Sequence, residues 1–129
     1  MKTVAIVGRG KTAKYAPFDN PNIDIWAFND NAMTLPRVDA MFEMHPDWDD
    51  AERLNGVPGM DEYRQWLRKP HPFPIYMHDR DPRVPASVDY PINAITFLFH
   101  KTMWKGKHEI QHFYTYTTHE AIALAIHKV

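Results

Sequence analysis

The sequence predicts an α/β fold, a mainly parallel sheet with helices on both faces, on three observations. Short apolar runs recur at Thr3–Val7, Ile23–Phe28, Asp39–Met44 and Phe73–Met77. Each breaks into a polar loop. Stretches with helical periodicity, Met60–Lys69, 92–103 and Glu120–Lys128, alternate with or follow these runs. Such alternation gives parallel strands joined by right-handed crossovers.

The first strand is β-branched-rich and bounded by Gly8, as suits a strand buried on both faces. The second strand ends in the polar tip Asn29-Asp30-Asn31. A helical turn over Ala32–Leu35 is closed by Pro36. The third strand ends at His45-Pro46-Asp47-Trp48, and residues 49–59 read as loop. Met60, Tyr63, Trp66 and Leu67 share one face of the next helix, and Pro70 stops it. The fourth strand ends in His78-Asp79-Arg80-Asp81. Asp89, Tyr90 and Pro91 read as a helix start. Residues 104–114 fit loop or irregular strand. Thr117 or Thr118 caps the last helix, and Thr117 with Glu120 matches a capping box. With 129 residues and no repeat or linker, residues 1–129 make one domain.

Composition narrows the function classes. Hydrophobic residues make up 44% and charged residues 24%, which suits a packed core. The net charge of −1 gives no general case for binding nucleic acid. The absence of Cys removes disulfides and thiolate nucleophiles. No apolar run approaches the roughly 20 residues of a membrane span, and the N-terminus does not read as a signal peptide. The expectation is a cytoplasmic protein without membrane partners.

Gly8-Arg9-Gly10-Lys11-Thr12-Ala13 follows the first strand and matches G-x-G-x-x-[GA]. Asp30, at the end of the second strand, stands near where that fingerprint places a ribose-binding acid. Together these features make the expected fold a Rossmann-like three-layer sandwich. Backbone N–H groups of the turn would receive a phosphate, with Arg9 and Lys11 adding positive charge. An ordinary tight turn is the plain alternative. Gly10-Lys11-Thr12 also reads as the end of a P-loop, but the first glycine of that motif would fall on Ala5, inside the strand. A P-loop ATPase is therefore rejected.

Asn29 and Asp30 are candidates for ribose or base contacts. Glu43 and His45 fall on one strand face by period two and could do acid–base work. Asp47, His78 and His119 join them as candidate acid–base groups. Thr117, Thr118 and His119 open the last helix, whose free N–H groups suit phosphate. Trp48 stands in a candidate ligand loop. His108-Glu109-Ile110-Gln111-His112 spells the H-E-x-x-H zinc motif, in a segment too short and aromatic-flanked for a stable zincin helix. Neither a resident metal nor a cofactor is expected.

Taken in order, V-A-I-V-G-R-G-K-T-A, I-W-A-F-N-D-N, M-F-E-M-H-P-D-W, P-I-Y-M and T-Y-T-T-H-E-A-I-A-L-A-I resemble a group of small phage and prophage proteins. They are more distantly similar to Rossmann-like domains of the DUF115 and bacterial sialyltransferase kind. In those relatives a G-x-G-x-S-like loop, an Asn at the second strand end and a T-S start of a late helix cradle a nucleotide. By position, the resemblance implies Gly8, Arg9, Gly10, Lys11, Thr12, Asn29, Thr117 and Thr118. There are departures. Lys11-Thr12 stands where the relatives often have Pro-Ser. His119 replaces a small or apolar residue, and residues 101–112 look inserted. The relatives also continue into a further strand and acidic loop. The lack of that strand puts transferase activity in doubt and suggests a sheet edge that a second subunit, in a homo-oligomer, could cover.

The expected function is binding of a phosphorylated nucleotide or nucleotide-derived small molecule at the strand ends. The phage resemblance suggests a protein that sequesters a host nucleotide defence signal. The alternatives are a glycosyl- or nucleotidyl-type transferase or a nucleotide-cleaving hydrolase, a zinc site at His108/His112, or an interaction protein with no ligand.

Overall fold

The computed structural model describes residues 3–95, 97 and 117–128. Among the described residues, five parallel strands form one open sheet: β1 Thr3–Val7, β2 Ile23–Phe28, β3 Ala40–Phe42, β4 Ile75–Met77 and β5 Ser87–Asp89. Their spatial order is their sequence order. The β1–β2 register pairs Thr3 with Ile23 and Val7 with Ala27. The first four strands stand near their expected places, with β3 and β4 shorter. The fifth was not expected. Its three residues follow a Pro-rich loop, and Ser-Val-Asp has too little pattern to mark a strand.

The helices divide between the two faces. On one, Met41, Ile75 and Met77 pack with Tyr63 and Leu67 of α2, Met60–Leu67. On the other, Trp26, Phe42 and Tyr76 pack with Ala121, Ala123 and Leu124 of α4, Thr117–Lys128. Ile95, from α3 (described at 92–95 and 97), joins that second core. The architecture is thus an α/β, Rossmann-like three-layer sandwich.

The connections between early strands are short. Lys11–Tyr15 and Asn29–Met33 are 3-10 helices, and α1, Ala51–Leu54, occupies part of the expected 49–59 loop. The Asp50 carboxylate caps α1, accepting from the N–H groups of Glu52 and Arg53 at 3.0 Å. Gly59 precedes α2 at φ 80°, a left-handed conformation that glycine adopts without steric cost.

Arg37 ties the Pro-rich β1–β2 connection to the sheet. Its guanidinium donates to the carbonyls of Phe18 (2.8 Å), Asn20 (3.0 Å) and Ile23, and to the Asp39 carboxylate at 2.9 Å. The same carboxylate accepts from Ile25 N–H at 2.8 Å. No helix among the described residues is long and apolar enough to cross a membrane.

Candidate functional site

Strands that all run one way deliver all their carboxyl-end loops to one rim of the sheet. In doubly wound sheets, a reversal of strand order opens the ligand crevice on that rim. The order of the five described strands does not reverse. Any recess must therefore come from the loops themselves, and two adjoining recesses form at the rim.

The first is a cavity of about 250 Å³ whose lining includes Arg9, Asn29, Asp30, Glu43, His45 and Tyr63, with Asp47 and Arg53 on its wall. It gathers the tips of β1, β2 and β3. Arg9 is ion-paired with Asp30, and Arg53 with Asp47. Asn29 takes φ 48°, uncommon outside glycine, which its short polar side chain tolerates better than most. Among the described residues, nothing donates to its buried Oδ1. Asn31 closes the base of the tip, donating from Nδ2 to the carbonyls of Val7 and Gly8 at 3.2 Å each.

Glu43 is the centre of the cavity wall. Its side chain is 2% exposed, and a lone carboxylate so placed is costly without donors. Three are present. One oxygen accepts from His45 N–H at 3.0 Å and lies 2.7 Å from His45 Nδ1. The other accepts from the Tyr63 hydroxyl. The expected face-sharing of Glu43 and His45 is present as a direct bond. With Nδ1–H held by Glu43, His45 presents Nε2 as a proton acceptor. That hydrogen bond also raises the His45 pKa against the opposing cost of partial burial. Burial, reinforced by the Glu43 charge, pushes the Tyr63 hydroxyl well above its ordinary value, so it stays a donor.

The second cavity, about 380 Å³, lies at the tips of β3 and β4. Its lining includes His45, His78, Asp79, Arg80, Asp81 and Arg83. Glu43, His45 and Trp48 line both cavities. Behind His78 sits Glu120, a buried residue of α4 whose Oε1 is 3.9 Å from His78 Nε2. Desolvation pushes its carboxyl up to about 7. Tyr90 anchors the start of α4 by donating from its hydroxyl to the Glu120 carbonyl at 2.8 Å.

Asp81 is held down at about 2, chiefly by its hydrogen bonds from Arg83. It also accepts from Trp48 Nε1 at 3.2 Å. The Arg68 and Arg83 guanidiniums lie 5.5 and 5.0 Å from the Trp48 ring centre. Trp48 is thus buried and already engaged, which argues against its use as an open stacking platform.

The remaining expected residues divide as follows. Gly8, Gly10 and Thr12 line a third cavity, about 380 Å³, beside β1. Its described lining residues all fall within 5–17. Lys11 is exposed on the 3-10 helix. The turn is followed by that short 3-10 helix and not by the α-helix of a dinucleotide-binding unit. A Cβ at Gly8 would meet nothing within 4 Å, and one at Gly10 only Thr12 Oγ1 at 3.6 Å. Neither glycine is required by a left-handed backbone.

Thr117 and Thr118 fall in the first turn of α4, and their side chains and that of His119 lie outside the described residues, as does the whole His108-Glu109-His112 motif. Among the described residues no cluster of three or more His, Asp or Glu is arranged to hold a metal.

Two central residues had other readings in the sequence. Tyr63 read as core and Glu120 as a helix cap. Periodicity does reveal that Tyr63 faces the sheet, but nothing local marks the carboxylate it meets. A search of protein-family models, of curated proteins and of solved structures finds no match to this chain.

Proposed function

We propose that the protein binds a phosphorylated nucleotide or nucleotide-derived small molecule at the carboxyl ends of its strands. The supporting observation is the convergence of Arg9, Asn29, Asp30, Glu43 and His45, from three successive strand tips, on one cavity. Its polar groups suit the parts of a nucleotide. Arg9 is a cation for phosphate. An entering phosphate would compete with Asp30 for Arg9, and Asp30 would then be free to accept from a ribose hydroxyl. Asn29 brings an acceptor with no donor of its own among the described residues. The unobstructed space at Gly8 and Gly10 is consistent with close approach of a ligand to that backbone.

A specific ligand stabilises the folded state by mass action, by about 2.7 kcal/mol at a hundredfold excess over Kd. Thermal-shift screening against nucleotides therefore tests the proposal, together with mass spectrometry of copurifying small molecules. A stabilising nucleotide is the expected result. The absence of any stabilising nucleotide would favour an interaction protein instead.

A ligand recovered intact would fit the sequestering role implied by the phage resemblance. A second reading, an enzyme acting on the same ligand, is favoured by the bond between Glu43 and His45. A buried carboxylate that orients an imidazole is a common arrangement for a general base.

A further inference from the structure

We propose that the two adjoining rim cavities take the two halves of a dinucleotide, and that His45 and His78 cleave the phosphodiester between them. The proposal rests on the nucleotide-binding reading and specifies its substrate class and chemistry.

The geometry has three parts. First, the cavities of about 250 and 380 Å³ have Glu43, His45 and Trp48 in common. A ligand that fills both must pass His45, so its bridging group lies beside that imidazole. Second, His45 and His78 both line the larger cavity, from the tips of adjacent strands. Each has a buried carboxylate at its back: Glu43 at 2.7 Å from His45 Nδ1, Glu120 at 3.9 Å from His78 Nε2. The imidazoles themselves are about half exposed, at 56% and 48%, while the carboxylates are nearly sealed, at 2% and 4%. The imidazoles are thus open to solvent at the rim while the carboxyl groups behind them are sealed from it. Third, Arg80 lines the same cavity; its backbone N–H donates to the Asp89 carboxylate at 2.6 Å, and among the described residues its guanidinium is in no ion pair, which leaves a cation to offer the phosphate.

Two imidazoles and a cation suffice for an internal transfer. His45 Nε2 takes the proton of the ribose 2′-hydroxyl. The 2′-oxygen forms a bond to phosphorus while the bond from phosphorus to the 5′-oxygen breaks. That leaving oxygen takes a proton from the His78 imidazolium. The products are a 2′,3′-cyclic phosphate and a nucleoside with a free 5′-hydroxyl. One proton has passed from His45 to solvent and one from solvent to His78 when the cycle closes, so no co-reactant is consumed. Glu43 is a positioning residue that holds the His45 ring by a hydrogen bond and favours its protonated form, and Glu120 stands 3.9 Å behind His78 Nε2.

The test uses the full chain with adenylyl-(3′→5′)-adenosine and with its analogue lacking the 2′-hydroxyl. Products are followed by chromatography and binding by calorimetry. Cleavage of the ribose form to the cyclic phosphate and adenosine is expected, with the deoxy analogue bound and uncut. His45→Gln and His78→Gln should each reduce the rate by about 10²–10⁴-fold with little change in Kd. Glu43→Gln should move the acidic limb of the pH–rate profile to lower pH, because His45 loses the carboxylate that raises its pKa; a merely structural role would lower the rate without moving that limb. Both dinucleotides bound and neither cut would overturn the chemistry and leave the binding reading standing. Binding only of mononucleotides would overturn the two-cavity assignment. Absence of any nucleotide binding would overturn both readings. Should the histidine variants fail to fold, the comparison of ribose and deoxy substrates on the unaltered protein still decides.

Discussion

The Tyr63 hydroxyl, on α2, donates to one oxygen of Glu43 at the tip of β3, and the other oxygen of Glu43 holds His45. A helix face, a strand tip and a rim imidazole are thereby fixed as one unit. Tyr63→Phe leaves the buried oxygen without this donor. Loss of a hydrogen bond to a buried charged group costs about 1–3 kcal/mol, and denaturant titration should show a loss of that size. The same variant should retain the fold, since the ring stays in place between the sheet and Trp66.

Glu120 links stability to pH. Its carboxyl is pushed up to about 7, above the ordinary value of 4.5, so the folded state binds the proton more tightly than the unfolded chain does. Its contribution is complete below 4.5, declines as pH rises and is gone above about 7. The raised His45 pKa acts in the same direction, with its stabilisation lost as pH rises through the folded value. Glu120→Gln should flatten the stability profile between about pH 4.5 and 7 and raise the melting temperature at pH 8. An unaltered profile in the variant would remove Glu120 as its source.

Arg9 separates the rim cavity from the glycine turn as the anion site. Its side chain is 63% exposed, so Arg9→Ala should leave stability nearly unchanged while weakening nucleotide affinity about tenfold, the loss of roughly one charge-assisted bond. Gly10→Ala probes the alternative. The added methyl meets no crowding in the protein, so any loss of affinity would mean that the ligand approaches this backbone. Calorimetry on both variants distinguishes a phosphate at the rim from one at the turn.

Arg37 supplies the structural control. It satisfies three backbone carbonyls and the Asp39 carboxylate far from the rim cavities. Arg37→Ala should lower the melting temperature by several degrees, the scale expected when a multiply bonded anchor is lost. Nucleotide affinity of the folded fraction should not change. A loss of affinity comparable to that of Arg9→Ala would connect the two regions in a way the structure does not suggest.

The sequence by itself determined the strands with clear apolar runs, the helix at Met60 and the apolar last helix. Those features are local, because burial on one or both faces repeats at the period of the backbone. Glu43 and His45 were legible as neighbours for the same reason, being two residues apart past a strand. The short β5 was not, since three residues carry no period. Only the tertiary structure brought Tyr63 to Glu43 across 20 residues and Glu120 to the back of His78. It also turned Arg9 from its own glycine turn to the tips of β2 and β3. Parallel pairing decided these meetings, because it sends every strand end to one rim and lets α4 return across the far face of the sheet. Which side chains then become buried partners depends on that packing, and spacing along the chain holds no record of it.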